Sequence, residues 1–404
     1  MSKSKKRFAQ TIALLFLIAS VSPLNSVANA NGVGVCGSEN FAGGTGLPGD
    51  PFLVHDQNAL NELRDCGLVY RYYTQTQDIA LTGTWSPISS FTGNYQGQNH
   101  SITGIEIVEN ENTVGLFGEI TSSYISNLTI SGSVSNTGLE TGLLAGAISN
   151  GTTVTAITAS ANVVGYQDTG GLIGAVYSSA VNDVTVNPLD ESSEVTVTSY
   201  SGGGVFGFVL NSDIDMVQAN IDVVGLEGAA QIGGIYGAAV WNFGEEFTHT
   251  FLIYGGDVIA LNEGSYRCGG IAGAGNFPIE GALVIDSQII CEHLDVGGAV
   301  GYFTSTLSNV KVEAEVEAQK ANDIDDETQI GGLIGYWSVT QPQSIQESYF
   351  SGDLTGENNM GGLVGVLNFS SAPDGADITI SHAYSVGSFV ESNGASGFVS
   401  TIIA

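Results

Sequence analysis

The chain has 404 residues, 56 of them glycine and 43% hydrophobic, with 41 acidic against nine basic side chains, for a formal net charge of −32. A field of that sign repels nucleic acid and anionic lipid, and it favours solubility and the accumulation of cations. Nucleic-acid binding is excluded on that ground, and no stretch beyond the first thirty residues is apolar and long enough to span a bilayer.

The first thirty residues read as an export signal. Lys3, Lys5, Lys6 and Arg7 precede the apolar run Ile12 to Ala19, and Ala28-Asn29-Ala30 supplies a small-x-small cleavage pattern. Removal of residues 1–30 leaves five basic against 41 acidic residues, a formal charge of −36. The mature chain is expected to be secreted or held at a bacterial cell surface, without a transmembrane segment. Its four cysteines, Cys36, Cys66, Cys268 and Cys291, then enter an oxidising compartment, where an even count points to disulfides. Three pairings are open, of which Cys36 with Cys66 and Cys268 with Cys291 is the simplest.

Residues 31–75 read as a capping segment. The turn cluster Gly43 to Asp50 leads into the short strand Phe52-Leu53-Val54. Asp56 is placed to cap a helix with Ala59, Leu60 and Leu63 on one face and Gly67 as its stop. A helix there would shield the open end of a stack of strands.

From residue 76 to 404 the chain repeats itself. Gly170-Gly171-Leu172-Ile173-Gly174 recurs as Gly203 to Gly207, Gly233 to Gly237, Gly269 to Gly273, Gly297 to Gly301, Gly331 to Gly335 and Gly361 to Gly365. Looser copies start at Val114 and Gly142, and a partial one at Gly397, with neighbours 27 to 36 residues apart. An apolar pair between glycines is too short for a helix, and glycine is costly inside one. Each pentad is followed by β-branched, alternating segments such as Ile125 to Val134, which carries one register break, and Val310 to Val316. No repeat can bury its apolar side alone, so the repeats must stack. The expectation is an all-β, parallel β-helix or β-solenoid of about ten Gly-Gly-Leu-Val-Gly-type repeats with a short N-terminal helical cap.

These pentads, with the continuation Ser348-Tyr349-Phe350-Ser351-Gly352, resemble the GLUG motif of secreted bacterial proteins. The resemblance covers roughly residues 68 to 400 and implies a surface, adhesin-like protein, since GLUG repeats occur in such proteins and as accessory repeats beside peptidase domains.

Catalytic signatures are sparse. His-Glu-x-x-His is absent, the histidines (His55, His100, His249, His293 and His382) are scattered over separate repeats, and no Gly-x-Ser-x-Gly elbow stands between a strand and a helix. The phrase Gly97-Gln98-Asn99-His100-Ser101-Ile102-Thr103-Gly104 resembles one of bacterial β-helical proteins, which implies that His100 is a turn or rung-stacking residue rather than a base. The expected function is therefore a non-catalytic adhesin-like binding or scaffold protein presenting an extended acidic surface to a glycan or protein ligand on a cell surface or matrix. The alternative is a β-helical polysaccharide-degrading enzyme, a lyase or glycoside hydrolase, with converging carboxylates on one face. No organic cofactor is expected. Asp323, Asp325, Asp326 and Glu327 form the densest acidic loop and offer hard oxygen ligands for calcium, without the glycine of an EF-hand. Tyr177, Trp241, Phe243, Tyr302, Tyr336 and Trp337 are candidate stacking platforms for a sugar or protein. An uncovered last repeat would allow end-to-end self-association.

Overall fold

The structure is a computed structural model that describes residues 40–66, 70–240, 249–261, 267–292, 294–319, 328–373, 376–390 and 395–403. Among the described residues the strands form three sheets of twenty, eleven and ten strands, and every strand pair is parallel. Among the described residues there is one helix, Gln57–Cys66. This is an all-β parallel solenoid. Each turn gives one short strand to the ten-stranded sheet, one to the eleven-stranded sheet, and a longer path to the third. Ten successive short strands are separated by nine full turns.

One turn illustrates the rest. Asp168–Gly170 lies in the ten-stranded sheet, Gly171 and Leu172 make the corner, and Ile173–Tyr177 continues in the eleven-stranded sheet. A second corner at Ser178 then leads into Ala180–Pro188 and Glu194–Val197 of the large sheet. Leu172 and Ile173 are both fully buried, as are their counterparts Val205, Phe206, Ile235, Tyr236, Leu363 and Val364. The apolar pair is thus the core ladder, and the glycines around it set how closely the backbones approach. A Cβ on Gly174 would stand 2.4 Å from the Thr141 nitrogen and 2.5 Å from the Gly146 oxygen. Only a residue without a side chain lets the two short sheets meet that closely.

The register break in the alternating segments has a local cause. Asn127 takes a left-handed backbone at φ 53°, so Ile125 and Leu128, three residues apart, both face the core. The same position recurs in register as Asp183, Met216, Asn309 and His382, all with φ near 50°. Asn and Asp tolerate this region because their short side chains bond locally, which makes the line a corner of the solenoid. His100 belongs to the first of these corners: it pairs in register with Leu128 and lies 3.5 Å from Asp78.

Buried hydroxyls satisfy the backbone at the other corner. Ser123 Oγ donates to Thr121 O at 2.8 Å, Thr152 Oγ1 to Ser149 O at 2.7 Å and Ser212 Oγ to Leu210 O at 2.8 Å. Polar atoms taken out of water need such partners.

The helix Gln57–Cys66 starts where the sequence places its cap: the Ala59 amide donates to Asp56 Oδ1 at 2.8 Å. Ala59, Leu60, Leu63 and Cys66 form its buried face. Arg64 lies 4.5 Å over the Trp85 ring and donates to Pro87 O, tying the helix to the first strands of the eleven-stranded sheet. Gly67, its expected stop, lies outside the described residues. Cys268 and Cys291 form a disulfide closing 23 residues, a constraint that contributes about 3 kcal/mol in the chain-entropy account. Cys66 is also disulfide-bonded, and Cys36, the partner that pairing expects, lies outside the described residues.

Candidate functional site

The residue two places before each pentad's first glycine points outward from the ten-stranded sheet. In register these positions read Glu140, Asp168, Ser201, Gln231, Arg267, Asp295 and Gln329. Facing them, the eleven-stranded sheet presents Glu119, Ala147, Ala175, Phe208, Ala238, Ala274, Tyr302 and Tyr336, one per turn. Contacts cross between the two sheets: Tyr177, two residues beyond Ala175, donates from Oη to Glu140 Oε1 at 2.7 Å, and the Arg267 guanidinium sits 4.1 Å over the Tyr302 ring. The rows therefore flank one shallow groove running along the solenoid. Alanines form its floor, and the close approach allowed by glycines such as Gly174 brings its walls together.

The C-terminal half of the groove is aromatic. Tyr302 and Tyr336, in successive turns, stack at 5.5 Å with their rings 9° from parallel. Tyr336 Oη is hydrogen-bonded by Asn368. Arg267 reaches Asp295 at 3.6 Å, an ion pair longer than a hydrogen bond. Asp295 is 7% exposed, and burial raises its carboxyl to about 7 against the opposing pull of Arg267. Beside Arg267 and Tyr302, a depression of about 290 Å³ opens over Gln231, Ala238 and Ala274. Stacked phenol rings flanked by amide, guanidinium and carboxyl groups can offer apolar ring edges and hydrogen bonds to a sugar ring.

The N-terminal half is acidic. Glu140 and Asp168 are register partners on neighbouring strands. Asp168 is 9% exposed; burial first, and the charge of Glu140 second, push its carboxyl up to about 7. The Ser201 hydroxyl works against that rise, yet it completes no hydrogen bond. Glu140 is also raised, by burial and then by Glu119, with the Tyr177 hydroxyl opposing. Tyr177 itself is pushed well above the ordinary phenol range, by burial first and then by the neighbouring carboxylates of Glu140 and Asp168.

The residues singled out from sequence fall in several places. Asp323, Asp325, Asp326 and Glu327 lie outside the described residues, as do Trp241 and Phe243. Tyr177, Tyr302 and Tyr336 line the groove. Trp337 does not: it is fully buried and donates to Ser305 O at 3.1 Å, because the strand alternates and its neighbour Tyr336 takes the outward place. His249 is a core residue, replacing the aliphatic ladder positions Ile214 and Ile279. Sequence reasoning passes over Glu140, Asp168, Arg267 and Asp295. Their signal is present, since every pentad can be read two residues upstream for its polar position. Among the described residues no three His, Cys, Asp or Glu side chains converge on one point, and no helix is long and apolar enough to cross a membrane.

Comparison with known proteins gives no match to a family model. The chain is 28% identical over 193 residues to halomucin of Haloquadratum walsbyi, covering 44% of this chain and 2% of that protein. It is 29% identical over 137 residues to a protein of Evansella cellulosilytica provisionally named a Gly-rich membrane protein, covering 31% of this chain and 15% of the other. The matched regions thus span a small part of either relative. A crystal structure from Bacteroides ovatus, provisionally assigned as an immunoglobulin A1 protease, superposes with a TM-score of 0.35 and 13% identity, covering 90% of this chain and 86% of that one.

Proposed function

We propose that this chain is an exported, adhesin-like binding protein of GLUG-type repeats that holds a glycan in the outer groove between its two short sheets. The observation that carries this reading is the parallel Tyr302–Tyr336 stack beside Arg267, Gln231 and Asp295. Successive turns repeat the same groove at a spacing of about 4.8 Å, so an extended chain ligand meets several weak contacts in line, and their combination sets the affinity. Display at the cell surface is supported by the basic-apolar-small start of the sequence and by the names of the two partial relatives, halomucin and the Gly-rich membrane protein. Calcium bound by Asp323, Asp325, Asp326 and Glu327 remains part of the proposal.

A second reading is favoured by the Glu140–Asp168 pair. Two carboxyls on adjacent strands, one with its pKa raised to about 7, are the components a glycoside hydrolase uses as acid and as nucleophile or base. The test of both readings is incubation of the protein with a polysaccharide panel, with and without calcium, scored for retention and for new chain ends. Retention without new ends is the expected result. Release of new ends that stops in Asp168→Asn would replace the binding reading with the hydrolytic one.

End-to-end self-association belongs to the same proposal as a further mode of display. Tyr384, Val386, Phe398 and Ile402 in the last described turn are each more than half exposed. Sedimentation that stays monomeric up to high concentration would sink this part alone.

A further inference from the structure

We propose that Glu140 and Asp168, with Ser201 beside them, bind a hard divalent cation, calcium, seated between successive strands of the ten-stranded sheet. Three observations carry this. The first is spacing: Glu140, Asp168 and Ser201 are register neighbours on three consecutive strands. Parallel strands lie about 4.8 Å apart, and calcium takes oxygen ligands at about 2.4 Å. A calcium ion midway between Glu140 and Asp168 therefore meets an oxygen from each without any backbone movement, and Ser201, one strand beyond, borders Asp168 on its other side.

The second is unmet bonding. Asp168 is 9% exposed and its Oδ1 has no hydrogen-bond partner; Ser201 is fully buried and its Oγ has none either. Buried polar atoms are costly when left so. Tyr177 occupies only Oε1 of Glu140, leaving the second carboxylate oxygen for another contact.

The third is an internal comparison. Further along the same row the other buried aspartate, Asp295, has a cation supplied by the chain, Arg267 in the preceding turn. At Asp168 the charged and titratable neighbours are Glu140 and, through it, Glu119 and Tyr177. Among the described residues no Lys or Arg pairs with Glu140 or Asp168. Two adjacent carboxylates of like charge, Asp168 buried and Glu140 half-buried, are stabilised by a cation placed between them.

The experiment is thermal unfolding of the full chain at pH 8, dialysed against chelator and then titrated with calcium chloride, against sodium chloride at matched ionic strength. The proposal expects calcium to raise Tm by several degrees beyond the sodium control. Asp168→Asn and Glu140→Gln, both near-isosteric, should each abolish most of that rise. An Asp323→Asn/Asp325→Asn variant, which removes the share of the acidic loop, should still show a calcium-specific rise, and Asp168→Asn added to that variant should abolish it, which separates this site from the loop. The proposal is overturned if calcium acts no differently from sodium, if the rise survives both groove substitutions, or if it disappears only in the loop variant. Direct calorimetric titration of calcium into the Asp323→Asn/Asp325→Asn variant with and without Asp168→Asn tests the same site without reference to stability: binding heat undiminished by Asp168→Asn counts against the site.

Discussion

Gly203→Val is expected to cost at least about 3 kcal/mol, at or above the upper end of typical overpacking effects. A Cβ at Gly203 would stand 2.4 Å from Phe206 O, 2.5 Å from Tyr236 Cα and 2.6 Å from Ile235 O. All three are backbone atoms, two of them in the next turn, so no flexible side chain can give way. The turns must separate or the corner must rebuild. Because each turn contacts only its neighbours, the loss falls on the interface between two turns, and urea unfolding should broaden or split as well as shift. Gly397, which stands at the position of Gly204 in the last described turn, is the control, since an added Cβ there meets nothing within 4 Å. Gly397→Val should change stability by less than about 0.5 kcal/mol. Equal urea midpoints for the two variants would mean that close backbone stacking is not what the pentad glycines are for.

His249→Phe is expected to remove an acid sensitivity from the fold. His249 is fully enclosed, stacked on Phe277 at 3.9 Å and edge-on to Tyr236 at 5.6 Å. Its Nδ1 lies 3.3 Å from Tyr236 Oη and its Nε2 3.2 Å from Ser212 O. Burial lowers its pKa to about 3, with the bond to the Ser212 carbonyl opposing. The unfolded chain titrates near the ordinary value of about 6.5, so below that pH it binds a proton the folded chain refuses. Stability contributed by this residue is therefore complete above pH 6.5 and is lost progressively as pH falls toward 3. Between pH 7 and pH 5 the wild type should lose about 2 kcal/mol through His249 alone. Phenylalanine keeps the ring contacts and has nothing to titrate. Asp168 and Asp295 shift in the opposite sense, so the informative quantity is the difference between variant and wild type at each pH. A difference that does not change from pH 7 to pH 5 would contradict the buried neutral imidazole.

Much of the architecture was legible because its causes are local and repeated. The pentad glycines mark where backbones of neighbouring turns touch, and any residue with a Cβ is excluded there. The helix Gln57–Cys66 was legible through its cap and its apolar face, both properties of a ten-residue window. The register break after Ile125 was visible as an anomaly, but its meaning was not. That Asn127 turns a corner in left-handed geometry follows from the turn stacked on it, which alternation within one segment does not contain.

The groove was harder to see for the same reason. Glu140, Asp168, Arg267 and Asp295 are 28 or more residues apart, and register alone makes them one row. With 41 acidic residues in the chain, nothing in their order singles out the two carboxyls that burial sets apart. Tyr302, Tyr336 and Trp337 looked equivalent as aromatics. The period-two alternation of the strand divides them, sending Tyr336 outward to stack on Tyr302 and Trp337 into the core.

Glycan binding in the groove is tested by affinity measured in two double variants, Tyr302→Ala/Tyr336→Ala in the groove and Tyr349→Ala/Tyr384→Ala on the large sheet. The second pair is an equally parallel stack, with centroids 5.2 Å apart and rings at 9°, but it lies on another face. Using whichever polysaccharide the panel retains, the groove variant should bind at least about tenfold more weakly, the scale of one good stacking contact at about 1.4 kcal/mol. The large-sheet variant should bind as the wild type does. Undiminished binding by the groove variant, with the loss appearing in the large-sheet variant, would contradict a glycan site between the two short sheets.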